Sequence, residues 1–270
     1  MLFCEISPIT YKISVAKCRF QRKVSDMLGN DKFAKTQSKD ILLVSVYEHK
    51  SLIRRRLGNV DMQLQENKAV NLALAAPKVD GILIKPGETF SFWQLVGQTS
   101  ARKGYKEGLQ ISSGRTSAGI GGGMCQFTNL IHWMVLHSPL DIVERHHHDK
   151  YDLFPDFNRQ VPFGVGTSIF YNYLDYRFKN NTPNTYQLLI RTNDEYLCGE
   201  LRCNSKPDYS YHIFTEDEHF TLEGDDVFRC GRVMRKTIDK LTGNTVQIDT
   251  LCTNHAKVLY DTTGLKIRNM

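Results

Sequence analysis

"GIGGGMCQFTNLIHW", residues 119–133, sets three consecutive glycines and a cysteine directly before a segment whose apolar residues recur at helical spacing. Glycines in that position predict a tight turn entering a helix. The helix is expected over 126–137, stopping before Ser138-Pro139, because proline lacks an N–H donor and constrains the residue before it. Cys125 then stands at the start of a central helix. Two uses of that cysteine compete. Free N–H groups and the positive dipole end favour a thiolate there, whereas a small core residue fits the same place.

Working outward, Ile13, Ala16, Phe20, Val24 and Met27 recur at intervals of three and four, with Lys12, Lys17, Arg19, Arg22 and Lys23 mostly off that stripe. This predicts an amphipathic helix closed by Gly29-Asn30, its stripe packed on its own domain. "ILLVSVYEHKS" (41–51) reads as a buried strand, 61–76 as a helix leaving at Pro77, and 82–84 as a short strand. Residues 105–114 read as a strand followed by a polar loop, "RTSAG" (115–119). "IVERHHH" (142–148) begins as a strand, and β-branched and aromatic residues alternate with polar ones through 167–180 and 184–203. The acidic "TEDEHFTLEGDD" (215–226) breaks that pattern, and 227–263 reads as short strands joined by loops. Helices in the first half and antiparallel-looking strands in the second make the expected fold α+β: one compact domain with N-terminal helices and a mainly antiparallel sheet. The expected parsing is a basic segment, 1–60, packed on a core, 61–205, with a β-rich extension, 206–270, of the same domain.

Composition bounds the function. The 270 residues are 41% apolar and 24% charged, as in a folded globular chain. Residues 1–60 hold 12 Lys/Arg against 5 Asp/Glu, and the remainder 23 against 24. An electrostatic partner therefore meets the N-terminal segment, and contact with an acidic membrane surface is open to it. No zinc-finger spacing, RNA-binding signature or recognition-helix pattern points to nucleic acid. The glycines lack the spacing and the Lys-Ser/Thr of a nucleotide loop. Seven cysteines without a Cys-x-x-Cys pair, no secretory leader and no spanning run predict a cytoplasmic chain with reduced thiols, at most peripheral to a membrane.

A nucleophilic Cys125 needs a base. His132 lies seven residues on, about 10.5 Å along a helix axis, which is out of reach. If "IVERHHH" is extended, Ile142, Glu144, His146 and His148 share one face and Arg145 takes the other. His146 or His148 is then the base, with neither preferred. Cys125 is expected in a cleft near one of them and to be the fastest cysteine alkylated at neutral pH. Zinc is a rival use of Cys125, His146 and His148, with Asp149 or Asp152 as fourth ligand. It lacks the framing of a dedicated site, so no metal or cofactor is assigned. Arg115, in its glycine-flanked loop, and Arg145 are candidates for holding a substrate carboxylate.

Five stretches together resemble the VanW family, proteins associated with glycopeptide-resistance gene clusters and with bacterial cell envelopes. They are "NKAVNLALAAPKVDGILIKPGETFSFWQLVG" (67–97), "KGYKEGLQI" (103–111), "GGGMCQFTNLIHWMVLH" (121–137), "IVERHHH" (142–148) and "YLDYRFKNNT" (173–182). Some envelope members are understood as L,D-transpeptidases that use the cysteine of a Gly-Gly-Gly-x-Cys-Gln motif. The resemblance thus implies acyl transfer on peptidoglycan stem peptides by Cys125, with His146 and His148. Gly121, Gly122, Gly123, Gln126, Arg115, Glu144 and Arg145 fall around the substrate. The alternative is a non-catalytic protein that binds a peptidoglycan precursor or an envelope protein. The chain departs from the family pattern at His147, where many members have proline, at Asp149, where many have serine, and at Gly166, where alanine is frequent.

Overall fold

The computed structural model describes residues 2–55, 61–112, 115–147, 150–156 and 160–268, with the backbone alone for 111–112 and 115–116. Ser7 caps α1 (Pro8–Leu28) by accepting from the Thr10 amide, and Pro8 suits the first turn, where no N–H is needed. β1 (Lys32–Phe33) and β2 (Val44–Leu52) follow. Asp61 caps α2 (Met62–Val79). Pro77 does not end this helix, since the Asp80 amide still reaches the Ala76 carbonyl and Val79 enters the core. Then come β3 (Ile82–Ile84), β4 (Glu88–Ser91), α3 (Phe92–Val96), β5 (Glu107–Ser112), β6 (Arg115–Ile120) and α4 (Met124–Leu136). The expected loop at 115–119 is the second arm of a hairpin, with Ser112 opposite Arg115 and Glu107 opposite Ile120.

β7 (Asp141–Glu144), β8 (Tyr151–Asp152), β9 (Arg177–Lys179), β10 (Tyr186–Thr192) and β11 (Tyr196–Cys203) complete the middle of the chain. One mixed sheet has the order β1-β4-β9-β7, and an antiparallel sheet has the order β2-β11-β10-β3. The strand expected over 167–180 shrinks to β9. Before it, a Phe170–Leu174 bridge and a residue of positive φ, Asn172, turn the chain. The tail also differs from expectation. β12 (Tyr209–Glu223), β13 (Asp226–Asp239) and β14 (Thr245–Val258) are long antiparallel strands, joined at the edges by β15 (Ile267–Arg268) and β8. The acidic run stays in β12 because its charges meet cross-strand cations, Glu216 with Arg232 and Glu218 with Arg229. The whole is a single α+β domain with N-terminal helices and mostly antiparallel sheets.

α4 organises the core. Ten of its thirteen residues are buried, which marks a helix covered on all sides rather than a surface amphipath. Phe127, Leu130, Ile131 and Met134 join Leu72, Ala75, Ala76 and Val79 of α2 and Leu188, Ile190, Leu197 and Leu201 of β10 and β11. Trp133 and Leu136, from the other side of α4, pack with Val165, Ile213 and Val233 in a second cluster that attaches the long-stranded sheet.

The start of α4 is set by close approach. Asn71 of α2 donates to the carbonyls of Lys106 (3.0 Å) and Gly122 (2.9 Å) and accepts from the Lys106 amide (2.8 Å). Asn67, one turn earlier, donates to Glu107 O at 2.7 Å. These bonds pull the glycine turn onto β5 so tightly that a Cβ on Gly122 would lie 2.1 Å from the Gly108 carbonyl carbon. Gly122→Ala is therefore expected to lower unfolding free energy by roughly 3 kcal/mol or more in urea titration, the upper range for overpacking. Gly87→Ala meets nothing within 4 Å but has φ +77°, so it is expected to lose only about 1–2 kcal/mol from the backbone. Equal losses in the two variants would contradict the close-approach account.

Candidate functional site

Cys125 occupies the first turn of α4, whose cap residue, Gly123, has φ +103° and offers no side-chain acceptor. The residue is half-buried, but protein crowds its sulfur. Burial pushes the thiol above its ordinary pKa, while the backbone of Ile169 and Cys125's own backbone, facing the sulfur, pull less strongly the other way. The shift is opposite to the one expected for a helix-start thiolate. Desolvation outweighs the helix end. Gly121 and Gly122, expected to face substrate, use their amides inside the turn, donating to Lys106 O (2.9 Å) and Gly119 O (3.0 Å). Gln126 is likewise engaged, its amide donating to Ser51 Oγ and Leu52 O.

Of the residues expected to share a face, Glu144 and His146 meet, whereas Ile142 lines a cavity together with Arg145. β7 ends at Glu144 and carries an irregularity between Ile142 and Glu144, so strict alternation is lost. His146 lies beyond the strand with its Nε2 2.9 Å from Glu144 Oε1, and its carbonyl accepts from the Ser168 amide. No hydrogen bond joins it to Cys125 among the described residues. His148 and Asp149 lie outside the described residues. Arg115 sits in β6, with its backbone alone described. Glu144, expected beside substrate, is a structural hub. Burial works to raise its pKa, but Arg22, the Asp175 amide and His146 outweigh burial and hold the carboxyl below its usual range. Arg22 binds both Glu144 oxygens (2.6 and 2.7 Å), and Arg177 joins Asp175 (2.8 Å) to both oxygens of Asp26 (2.7 and 2.8 Å). Asp152, a zinc alternative, is buried against Arg229 and Tyr260 instead.

Residues 164–169 run along α4 as a strap. The Ile169 backbone faces Cys125, Thr167 bonds Thr128 (2.6 Å) and Asn129 (2.6 and 2.8 Å), and the Gly164 and Gly166 carbonyls accept from Arg145. Gly166 and His147 meet here, since a Cβ on Gly166 would lie 3.0 Å from His147 Cε1. Arg145, Ile142 and Val165 line a cavity of about 180 Å³ with His132, Leu251 and Cys252. His132 is fully buried, bonded to the Tyr176 hydroxyl at 3.1 Å, and burial holds its pKa far below the ordinary value, so it is neutral. Burial also lowers Arg145 somewhat, and among the described residues no carboxylate pairs with it.

His137 caps α4 but is no charged partner of the dipole: it stacks on Tyr47 at 3.7 Å and burial drops its pKa to about 4. Trp93 and Trp133 are core aromatics, and Asp175 with Arg177 is a structural pair.

Lys68 is the residue that sequence reading missed. It is buried on α2, its stem packed where a Cβ on Gly123 would sit, and no described group accepts from its ammonium. Burial, then Arg55 and Arg54, bring its pKa down to about 7. Nothing in "NKAV" signals this, because burial comes from the turn 55 residues on. Elsewhere Glu223, Cys230 and His255 of the long strands bring donor atoms within 4.8 Å of one another. There His255 Nε2 is bonded to Glu223, and Cys230 is kept protonated by burial and by the charges of Glu223 and Asp217.

A family model described as "VanW like protein" matches residues 67–202. The vancomycin B-type resistance protein VanW of Enterococcus faecalis is 34% identical over 228 residues, 84% of this chain and 82% of that one. The uncharacterized protein YoaR of Bacillus subtilis is 34% identical over 128 residues, 47% of this chain and 39% of its own. No solved structure matches the chain.

Two measurements check the site's electrostatics. Lys68 has a folded pKa of about 7 against 10.5 for the free side chain. The unfolded chain therefore binds the extra proton between those values. The charge-burial penalty is full below about pH 7 and fades toward about pH 10, at ~1.4 kcal/mol per pH unit. Lys68→Met is expected to be more stable than the parent by several kcal/mol at neutral pH, the gap closing with rising pH in urea titrations. A pH-independent gap would refute the shift. Cys125 is expected to be alkylated by iodoacetamide more slowly in the folded chain than after unfolding, its rate still climbing above about pH 9. Peptide mapping that finds Cys125 fastest at neutral pH would reverse that account.

Proposed function

This chain belongs to the VanW family, and we propose that it serves bacterial cell-envelope metabolism by holding the carboxylate end of a peptidoglycan stem peptide or precursor. Arg145 carries the reading. Its half-buried guanidinium meets strap carbonyls and no carboxylate among the described residues, an unfavourable state, and a ligand carboxylate supplies the missing counter-charge. Ile142, Val165 and Leu251 beside it suit a small aliphatic group such as the methyl of a terminal D-alanine. At about 180 Å³ the cavity fits an end group, being smaller than the usual range for whole drug-sized ligands. The working core is taken as 61–205, with 1–60 and 206–270 attached to it.

Cysteine acyl transfer is the second reading, favoured by the position of Cys125 under the strap that also holds Arg145. In it the Cys125 thiol gives its proton to His146 or His148, and the sulfur attacks a peptide carbonyl. The leaving amine takes a proton, and water or another amine then releases the thioester. The backbone of Ile169 at the sulfur supports this use of Cys125, and its raised pKa weighs against it at rest.

Calorimetry with a pentapeptide ending in D-alanyl-D-alanine separates the readings. Arg145→Gln is expected to weaken binding roughly tenfold or more, the scale of a lost charge-assisted pair, while Cys125→Ser binds as the parent does. Arg145→Lys keeps a cation without the planar fork and is expected to fall between. Parent-like affinity in folded Arg145→Gln would overturn the carboxylate reading. A covalent peptide adduct on Cys125, seen by mass spectrometry, would move the assignment to acyl transfer.

A further inference from the structure

The stripe expected to pack α1 on its own domain faces away from it. No apolar residue of α1 is buried. The helix is held instead by its polar side: Arg19 donates to Tyr171 O and covers the Tyr171 ring, Arg22 grips Glu144 and Tyr173 O, and Asp26 receives Arg177 and Gln94. At ~100° per residue, Ile9, Ile13, Ala16, Phe20 and Met27 fall within an arc of about 60° on the other side. Their larger members are open to solvent: Ile9 70%, Ile13 52%, Phe20 68% and Met27 74% exposed. Lys12 and Lys23 run along one border of this arc and Lys17 along the other. The chain before α1 adds exposed Leu2, Phe3 and Ile6. The carboxylate of α1, Asp26, points into the body, leaving the outer face apolar and cationic.

We propose that α1 is a membrane-surface helix, in which Ile9, Ile13, Phe20 and Met27 sink into the edge of an anionic leaflet while Lys12, Lys17 and Lys23 lie at its phosphates. Lysine stems bordering an apolar strip reach back to headgroup level in this way. The helix lies in the interface rather than across it, since no described helix is long and apolar enough to span. A second copy is the poorer occupant. A two-fold contact would set each row of lysines against like charges, with no exposed carboxylate on α1 to neutralise them. An anionic lipid surface complements both the strip and its borders. The inference stands apart from the peptide reading, because it uses only residues of α1 and their partners.

The experiment is co-flotation of the full chain with vesicles of phosphatidylcholine alone or with about one-third phosphatidylglycerol. The parent is expected to float with the anionic vesicles, roughly tenfold less with neutral ones, and to be released in part by high salt. Ile13→Glu with Phe20→Glu is expected to abolish flotation without changing the unfolding midpoint, because both side chains are exposed. Lys12→Glu with Lys17→Glu and Lys23→Glu is expected to remove the preference for anionic lipid. Equal flotation on both vesicles, or flotation unaffected by the Ile13 and Phe20 changes, would overturn the proposal. So would a dimer in sedimentation that the same changes dissolve, which would assign the face to a second copy.

Discussion

A contact between two stretches of bare backbone, Gly108 in β5 and Gly122 ahead of α4, is the constraint on which the centre of the molecule depends. Asn71 holds both sides of it, bonded to Lys106 and to the Gly122 carbonyl. The glycines are therefore present first because a side chain does not fit. A Cβ at Gly121 would meet Thr99, one at Gly122 the Gly108 backbone, and one at Gly123 the Lys68 stem. Once that turn is seated, α4 starts at a defined height. Its two faces then meet the two clusters that attach the sheets.

The same seating explains the character of the site. α4 carries a short polar line, Cys125, Thr128, Asn129 and His132, along an otherwise apolar surface. The strap 164–169 meets Thr128 and Asn129 through Thr167 and Cys125 through the Ile169 backbone, while His132 is bonded to the Tyr176 hydroxyl. Covering the line removes water from Cys125 and His132, and both shift toward their neutral forms. Arg145 cannot neutralise in that way. It remains the charged group at the cavity, tied to the strap by the Gly164 and Gly166 carbonyls. Lys68, on the other side of the turn, is subject to the same desolvation, with no carboxylate paired to it among the described residues.

Glu144 shows why proximity in sequence misleads about role. It sits between Ile142 of the cavity wall and Arg145, yet its oxygens are taken by Arg22, His146 and the Asp175 amide. The buried pair Arg177–Asp26 closes the same cluster. A broken member would leave a buried charge uncompensated, so the cluster holds α1 in one orientation. That orientation turns the apolar stripe of α1 outward, a result that reverses the ordinary meaning of helical amphipathicity.

What the sequence determined by itself is local. Period and punctuation marked α1 with its Gly29 stop, α2, β3, the turn into α4, and the strand character of 184–203, because each rests on neighbours within a few residues. That 184–203 folds back on itself as the β10–β11 pair was not marked. The motif stretches likewise carried the family. Tertiary structure decided what depends on residues far apart in the chain. The tail formed three long strands because acids in β12 found cations in β13. His146 turned to a carboxylate that Arg22 also binds. Arg145 reached the cavity because β7 ended one residue before it. Cys125 became a desolvated thiol because a strap about forty residues further along the chain lies over it. Charge state and facing are set by what surrounds a side chain in space, and spacing along the chain does not encode those surroundings.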